Sequence, residues 1–176
     1  MTRSELEHVI RAAGAIARDR EIVVIGSQAV LGEYPDAPPA LLFSMEADVF
    51  PLNHPERAEK IEGAIGEGSR FHEEFGYYAQ GVSPSTATLP RGWRRRLVRV
   101  ENENTGGVAG LCLEVHDLAV SKYVAGREKD LAFTRVLVRE QLVDKERLLE
   151  RLAATRATPE LRKLIQGRIE RDFRLV

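Results

Sequence analysis

The sequence predicts an α/β protein, more closely an α+β one, with a small mixed sheet, flanking helices and a helical C-terminal extension. Short runs of β-branched residues alternate with stretches of helical periodicity over the first two thirds of the chain, and only helical periodicity follows. Because each such element has an apolar face to bury, this order favours one sheet with helices packed on it. We predict a core over residues 1–140 and a helical extension over residues 141–176.

The N-terminal part supplies a helix and the first strand. Apolar residues recur at helical spacing across residues 4–19, and Ser4 is the expected N-cap. The segment "EIVVIG" is a short β-branched run that ends in Gly26, which predicts a buried strand. The next segment, "SQAVLGEY", is expected to form one or two helical turns before a proline-rich connector.

The middle of the chain supplies the remaining strands. "EADVFP" predicts a strand that Pro51 ends, and "PERAEKIEGAIGEG" predicts a helix with Pro55 at its first position. Further strands are expected from "FGYYAQGV", "RRLVRVEN" and "GLCLEV", the last two joined by a turn at "ENTGG".

The remainder reads as four helices. Their segments are "HDLAVSKYVAG", "REKDLAFTRVLVREQ", "KERLLERLAAT" and "PELRKLIQGRIERDFRLV". Asp117 is the expected cap of the first and Gly126 its end, while Thr158 is expected to cap the last.

The composition excludes several classes of protein. With 43% hydrophobic residues and a net charge of −1, the chain lacks the global basic field that would hold it on nucleic acid or on an anionic membrane. Its single cysteine, Cys112, cannot form an intramolecular disulfide and has no partners at zinc-ligand spacing, so a reducing, cytoplasmic setting is expected. We expect neither a signal peptide nor a membrane span, since no apolar run approaches ~20 residues.

The Gly26-Ser27 turn is the first candidate for binding. A glycine between a strand and a helix lets the backbone approach a ligand, and the following N–H groups and the Ser27 hydroxyl suit a phosphate. The alternative, which the sequence leaves open, is a tight turn with a capping serine.

Two carboxylates follow on the next strand. Residues i and i+2 of a strand point to the same face, so Glu46 and Asp48 are expected side by side. Such charges repel unless water screens them or a cation lies between them, and Mg²⁺ commonly takes one or two carboxylates together with phosphate oxygens. A solvated face of an edge strand is the alternative.

A charged segment near residues 114–130 is the third candidate. Glu114 closes a predicted strand and is a third carboxylate by position. Asp130 is suited to orient a lysine by an ion pair, or to bind a metal ion or a substrate hydroxyl. Cations that suit a polyphosphate are Lys122, Arg127 and Lys129. The alternative is a charged helical face with ordinary ion pairs, which contribute little.

The phrases "GSQAV", "MEADVFP" and "HDLAVSKYVAGREKDLAF" together resemble the nucleotidyltransferase superfamily, whose core is shared with DNA polymerase beta. Over roughly residues 20–140 the chain is similar to the AbiEii-like, toxin-type members and their uncharacterised bacterial relatives. It departs from their pattern in showing Glu-x-Asp where Asp-x-Asp or Asp-x-Glu is usual. In another register Asp48 is the first acid and Phe50 replaces the second.

The resemblance implies a role for each candidate. Gly26 and Ser27 would hold the nucleotide phosphates, Lys122 would contact the triphosphate, and Asp130 would support Lys122 or the acceptor. The expected Mg²⁺ ligands are Glu46, Asp48 and Glu114. The reaction would transfer a nucleoside monophosphate from an NTP to a hydroxyl, and pyrophosphate would leave.

The resemblance and the basic cluster "RGWRRRLVR" suggest partners. An RNA acceptor such as tRNA would stack and pair with Arg91, Trp93, Arg94, Arg95 and Arg96. The alternative is a loop whose arginines lie in water. A toxin-type protein would also bind an antitoxin protein.

Two hypotheses about function stay open from the sequence. One is a Mg²⁺-dependent nucleotidyltransferase, and the other is a binding or regulatory module that keeps the fold without catalysis. A P-loop NTPase and a hydrolase with a nucleophile elbow are excluded, because neither Gly-x-x-x-x-Gly-Lys-Ser/Thr nor Gly-x-Ser-x-Gly occurs.

Overall fold

A computed structural model describes residues 1–175 and confirms the predicted fold class: a five-stranded mixed sheet with eight helices over that range. The strands are β1 Glu21–Val24, β2 Glu46–Pro51, β3 Tyr78–Gly81, β4 Val98–Val100 and β5 Ala109–Cys112. The helices are α1 Arg3–Ala17, α2 Val30–Glu33, α3 Ala58–Ile65, α4 Arg70–Phe75, α5 Val115–Ala125, α6 Glu128–Arg139, α7 Lys145–Ala153 and α8 Pro159–Arg174.

The sheet has the strand order β3-β2-β1-β5-β4. β1 at its centre runs antiparallel to β2 and parallel to β5, while β2 runs parallel to β3 and β4 antiparallel to β5. The central position explains the unbroken apolar run Ile22, Val23, Val24, since a strand covered on both faces needs no polar alternation.

The chain forms two compact units, and the sheet lies entirely in the first. Unit 1 comprises residues 1–86 and 97–113 and includes α1 to α4. Unit 2 comprises residues 87–96 and the chain from Glu114 onward, with α5 to α8. The boundary predicted at residue 140 stays a prediction. The division into compact units falls earlier in the chain, because α5 packs against α7 and α8, and α6 also packs against α8.

Helix α1 covers the sheet with the face that the periodicity predicts, since Leu6, Val9 and Ile10 are completely buried. The predicted N-cap Ser4 is wrong. Thr2 caps the helix in a capping box: its side chain accepts from Glu5 N, and the Glu5 carboxylate accepts from Thr2 N.

A short helix was not expected before β3. Helix α4 begins after Ser69, whose side chain accepts from His72 N, and ends at Gly76 in the left-handed region. The strand predicted from residue 75 therefore begins only at Tyr78.

In unit 2, helix α5 is capped by Glu114 and not by Asp117, because the Glu114 side chain accepts from Asp117 N. Gly126 ends the helix at a φ of 65°, and Thr158 caps α8, as expected. The last residue of the predicted C-terminal helix, Val176, lies outside the described residues. Over residues 1–175 no helix is long and apolar enough to cross a membrane.

Candidate active site in the first unit

The turn after β1 lies beside the start of β2. Because these strands are antiparallel, Val24 pairs with Val49, and Ile25 N donates to Asp48 O over 3.0 Å. The chain therefore leaves β1 at Gly26 next to the residues with which β2 begins.

Gly26 and Asp48 are in close contact. A Cβ atom on Gly26 would lie 1.9 Å from Asp48 Oδ2 and 2.7 Å from Asp48 Cγ, which no side chain can occupy. The φ of Gly26 is −81°, an ordinary value, so the requirement for glycine at this position is one of space. Glycine here admits the Asp48 carboxylate to the turn, a role that the sequence did not suggest.

The turn itself is short. Ser27–Ala29 form a single 3₁₀ turn, and α2 after it has four residues, so the aligned helix dipole expected behind Ser27 is small. Gln28 in this turn is completely buried, and its Nε2 donates to Ser44 O over 3.2 Å. Its Oε1 has no hydrogen-bond partner among the described residues. The Gln28 bond ties the turn to the segment that enters β2.

Glu46 and Asp48 alternate with Ala47 and Val49 as predicted. Both acids are half-buried, whereas Ala47 and Val49 are completely buried. Strand β2 lies between β1 and β3, so the edge-strand alternative is wrong. In the ladder between β2 and β3, Tyr78 lies opposite Glu46. The Tyr78 hydroxyl donates to Glu46 Oε2 over 3.2 Å.

The carboxylates of Glu46 and Asp48 are metal ligands of the kind that Mg²⁺ prefers. Carboxylate oxygens on one face of an ordered strand suit a hard divalent ion that keeps several waters or phosphate oxygens as further ligands. Within residues 1–175 no group of three or more His, Cys, Asp or Glu side chains is arranged to hold a metal ion. A metal ion at Glu46 and Asp48 would therefore complete its coordination with substrate and water.

The third predicted ligand, Glu114, belongs to unit 2, where it has local partners. Its carboxylate pairs with His116 Nδ1 and accepts from Asp117 N over 3.2 Å. Burial alone would raise the pKa of Glu114, but these hydrogen bonds outweigh burial and hold the pKa below its usual value. Its role as a metal ligand stays a prediction.

Lys122, Arg127 and Asp130 meet in unit 2. Lys122 Nζ lies 3.4 Å from Asp130 Oδ1, and Arg127 Nε donates to Asp130 Oδ2 over 2.6 Å. The side chain of Asp130 is only 1% exposed. Burial raises its pKa, yet the two cations outweigh burial and keep the pKa below the usual value. Asp130 is thus ionised and forms an ion pair with Lys122, and its role in the reaction stays a prediction.

The third predicted cation, Lys129, does not join this group, contrary to expectation. The sequence placed Lys122 and Lys129 on one face only if a single helix ran through Gly126, and α5 ends there. Lys129 is exposed on α6. The assignment of Lys122, Arg127 and Lys129 to nucleotide phosphates stays a prediction.

Comparison with known proteins decides the family. A family model described as nucleotidyltransferase of unknown function (DUF6036) matches residues 4–165. The chain belongs to this nucleotidyltransferase family. This confirms the predicted relationship to uncharacterised nucleotidyltransferase-like proteins, and membership implies an NTP substrate. No curated protein and no solved structure shows significant similarity to the chain.

The basic cluster of this nucleotidyltransferase-family protein divides into two parts. Arg96 is committed to structure within unit 2, since it donates to both oxygens of Asp117, over 2.8 and 3.0 Å. Three of its other arginines are exposed on or before the turn Trp93–Arg95, and the Arg94 guanidinium lies 5.0 Å from the centroid of the Trp93 ring. The exposed residues are Arg91, Arg94 and Arg95.

Two contacts of this nucleotidyltransferase-family protein could not be predicted from the sequence. The first is the hydrogen bond from the Tyr78 hydroxyl to Glu46 Oε2. The alternation of "YYAQ" indicates the face of Tyr78 only once β3 is known to pair with β2. The second involves His116, which is 4% exposed and whose Nε2 accepts from Asp144 N over 2.9 Å. Tyr77, by contrast, packs against the aromatic side chains of Phe71 and Phe75 in unit 1.

The Tyr78 hydroxyl offers a direct measure of the charge at Glu46. Burial, and then the Glu46 carboxylate, raise the pKa of Tyr78 to about 12. We expect Glu46→Gln to lower the pKa of Tyr78 toward the ordinary value of roughly 10. A ¹³Cζ-tyrosine NMR titration measures this pKa directly.

The control for this titration is Tyr77, whose pKa is raised by burial and by Glu5 and should not respond to Glu46→Gln. Because the folded pKa of Tyr78 exceeds the unfolded one, its neutral phenol stabilises the fold below pH ~10, and this contribution is lost as the pH rises through about 12. An unchanged Tyr78 pKa in Glu46→Gln would contradict the contact.

Proposed function

We propose that this protein transfers a nucleoside monophosphate from an NTP to a hydroxyl of RNA or protein, with Mg²⁺ held by Glu46 and Asp48. The family supports nucleotidyl transfer in general. One observation carries the assignment to this site: the Asp48 carboxylate occupies the space beside Gly26, so the acid pair and the Gly26-Ser27 turn share one place in unit 1.

The residues of this site have separable tasks in the proposed reaction. Mg²⁺, when bound, neutralises phosphate charge and favours departure of pyrophosphate. Glu46 is oriented by the Tyr78 hydroxyl, and Asp48 is held against the turn at Gly26. The half-buried Ser27 offers a hydroxyl donor to a phosphate oxygen.

The test is a label-transfer assay with the purified protein, each α-³²P-labelled NTP, Mg²⁺ and total RNA. We expect label on RNA or on protein, and EDTA should abolish it. Asp48→Asn and Glu46→Gln should each lower the rate by about 100-fold or more, because each removes a charged ligand from the site of developing charge. Glu59→Gln, a neutralised exposed carboxylate on α3, is the matched control and should keep full activity.

Each outcome of the assay discriminates between the two hypotheses. Label transfer that survives Asp48→Asn counts against the site. Absence of transfer from every NTP by the wild type, with NTP binding retained, favours a non-catalytic binding module.

The proposal includes an RNA acceptor and a role as the toxin of a toxin–antitoxin pair. Exposed arginines beside Trp93 suit stacking with, and charge pairing to, a single strand. A toxin role predicts that induced expression of the wild type arrests growth and that Asp48→Asn relieves the arrest.

A further inference from the structure

A cleft of unit 1 lies where α1 ends, at the start of β1, whereas the turn at Gly26 follows the end of that strand. Its volume is about 330 Å³, and its lining residues are Ile16, Ala17, Arg18, Arg57 and Lys60. Three of these five side chains are cationic, and the nucleotidyl-transfer proposal uses none of them.

The cations of this cleft are largely uncompensated. Arg57 Nη1 donates to Ala17 O over 2.9 Å, which fixes the guanidinium against the wall of the cleft. Arg18 and Lys60 are exposed, and among residues 1–175 neither forms an ion pair. The carboxylate closest to Arg57 is Glu56, 3.7 Å away on a side chain that is 67% exposed.

The acid that follows Arg18 in the chain is directed elsewhere. Asp19 is buried and accepts hydrogen bonds from Asn53 N and Asn53 Nδ2, both over 2.9 Å, and from Glu21 N over 3.1 Å. Because three N–H donors already bind the Asp19 carboxylate, it needs no cation from the cleft. The cleft therefore keeps a net positive charge.

Arg18 also occupies a backbone conformation that its side chain disfavours. It caps α1 with φ 51° and ψ 48°, the left-handed region where glycine or asparagine is usual. Within residues 1–175 only Gln141 shares a positive φ among non-glycine residues. A guanidinium placed there at the expense of backbone strain is a reason to look for a ligand.

We propose that this cleft binds a phosphate group. Planar guanidinium groups match tetrahedral oxyanions through paired N–H donors, and an ammonium adds a compact charge. The volume exceeds that of one phosphate, so the group belongs either to a free inorganic phosphate or polyphosphate, or to the backbone of a nucleic-acid strand. This proposal stands independently of nucleotidyl transfer.

The experiment is a ¹H–¹⁵N NMR titration of the full chain with inorganic phosphate, with EDTA present and ionic strength held constant with NaCl. We expect saturable shifts at the amides of Arg18, Arg57 and Lys60. The amides of Gly26 and Ser27 should not respond, which separates this cleft from the acid pair. Non-saturating shifts would overturn the proposal.

Two glycine substitutions separate binding from folding. Arg18→Gly removes a cation but suits the left-handed backbone, so phosphate affinity should fall about fivefold while Tm does not fall. Gln141→Gly gives the same backbone relief in unit 2 and should leave the affinity unchanged. Lys60→Gln should weaken binding to a similar degree as Arg18→Gly, and equal affinity in wild type, Arg18→Gly and Lys60→Gln would overturn the proposal.

A third arm identifies the source of the phosphate. A five-nucleotide oligouridylate that saturates the same amides at lower concentration than inorganic phosphate assigns the site to a nucleic-acid backbone. Tighter binding of inorganic phosphate or tripolyphosphate assigns it to a free anion. If neither the oligouridylate nor the free anions shift the amide resonances of the cleft, the proposal is overturned.

Discussion

Gly26→Ala is expected to lower the proposed nucleotidyl transfer by about 100-fold and to destabilise the fold. The new Cβ would lie 1.9 Å from Asp48 Oδ2 and 2.9 Å from Asp48 Cβ, so the carboxylate or the turn has to move. A displacement of about 1 Å at a reacting centre typically costs roughly 100-fold in rate, and overpacking costs about 1–3 kcal/mol in the free energy of unfolding. Label transfer and urea denaturation followed by circular dichroism measure the two effects.

Gly32→Ala is the matched control for this substitution. Its Cβ would lie 2.5 Å from Cys112 Cβ, so it overpacks another part of unit 1 without contacting either acid. We expect a comparable loss of stability and, at temperatures where the protein stays folded, near-normal transfer. Wild-type transfer by Gly26→Ala would show that the position of Asp48 against the turn does not matter for catalysis.

Arg96→Met is expected to lower the free energy of unfolding by about 3 kcal/mol at pH 7. Asp117 is completely buried between Arg96, at 2.8 and 3.0 Å, and Arg151 Nε, at 3.2 Å. Removal of Arg96 leaves the buried carboxylate with one partner, and the uncompensated charge is the main cost. Urea denaturation measures the change, and Arg95→Met, at an exposed neighbour, should stay within about 0.5 kcal/mol of the wild type.

The loss in Arg96→Met should depend on pH. Burial raises the pKa of Asp117 despite its arginines, and without Arg96 the pKa rises further. A carboxyl with a raised folded pKa stabilises the fold below its unfolded pKa, and this contribution is lost as the pH rises through the folded value. The deficit of Arg96→Met should therefore shrink as the pH falls from 7 toward 4. A deficit that is the same at both pH values, or that appears equally in Arg95→Met, would contradict this account.

Local patterns in the sequence were sufficient for most elements. Strand β2 has the predicted bounds, because its polar–apolar alternation and the proline that ends it all lie within the same six residues. The end of α5 at Gly126 was also predicted from local sequence, because glycine readily adopts the left-handed conformation that ends a helix. The caps at Thr2 and Glu114 were missed, because a capping bond depends on which of several nearby polar side chains meets the first free N–H groups.

The candidate site illustrates the limit of such patterns. The sequence by itself placed Glu46 and Asp48 on one face of a strand, since the period of a strand is fixed by its backbone. It also supplied the order of motifs that indicated the family.

Only the tertiary structure decided why Gly26 is glycine, which tyrosine holds Glu46 and that Arg96 belongs to Asp117. These contacts join residues 21 to 32 positions apart, and they follow from strand order and helix packing. The local sequence does not predict such long-range contacts, because burial and hydrogen bonding determine the contacts only once the whole chain has folded.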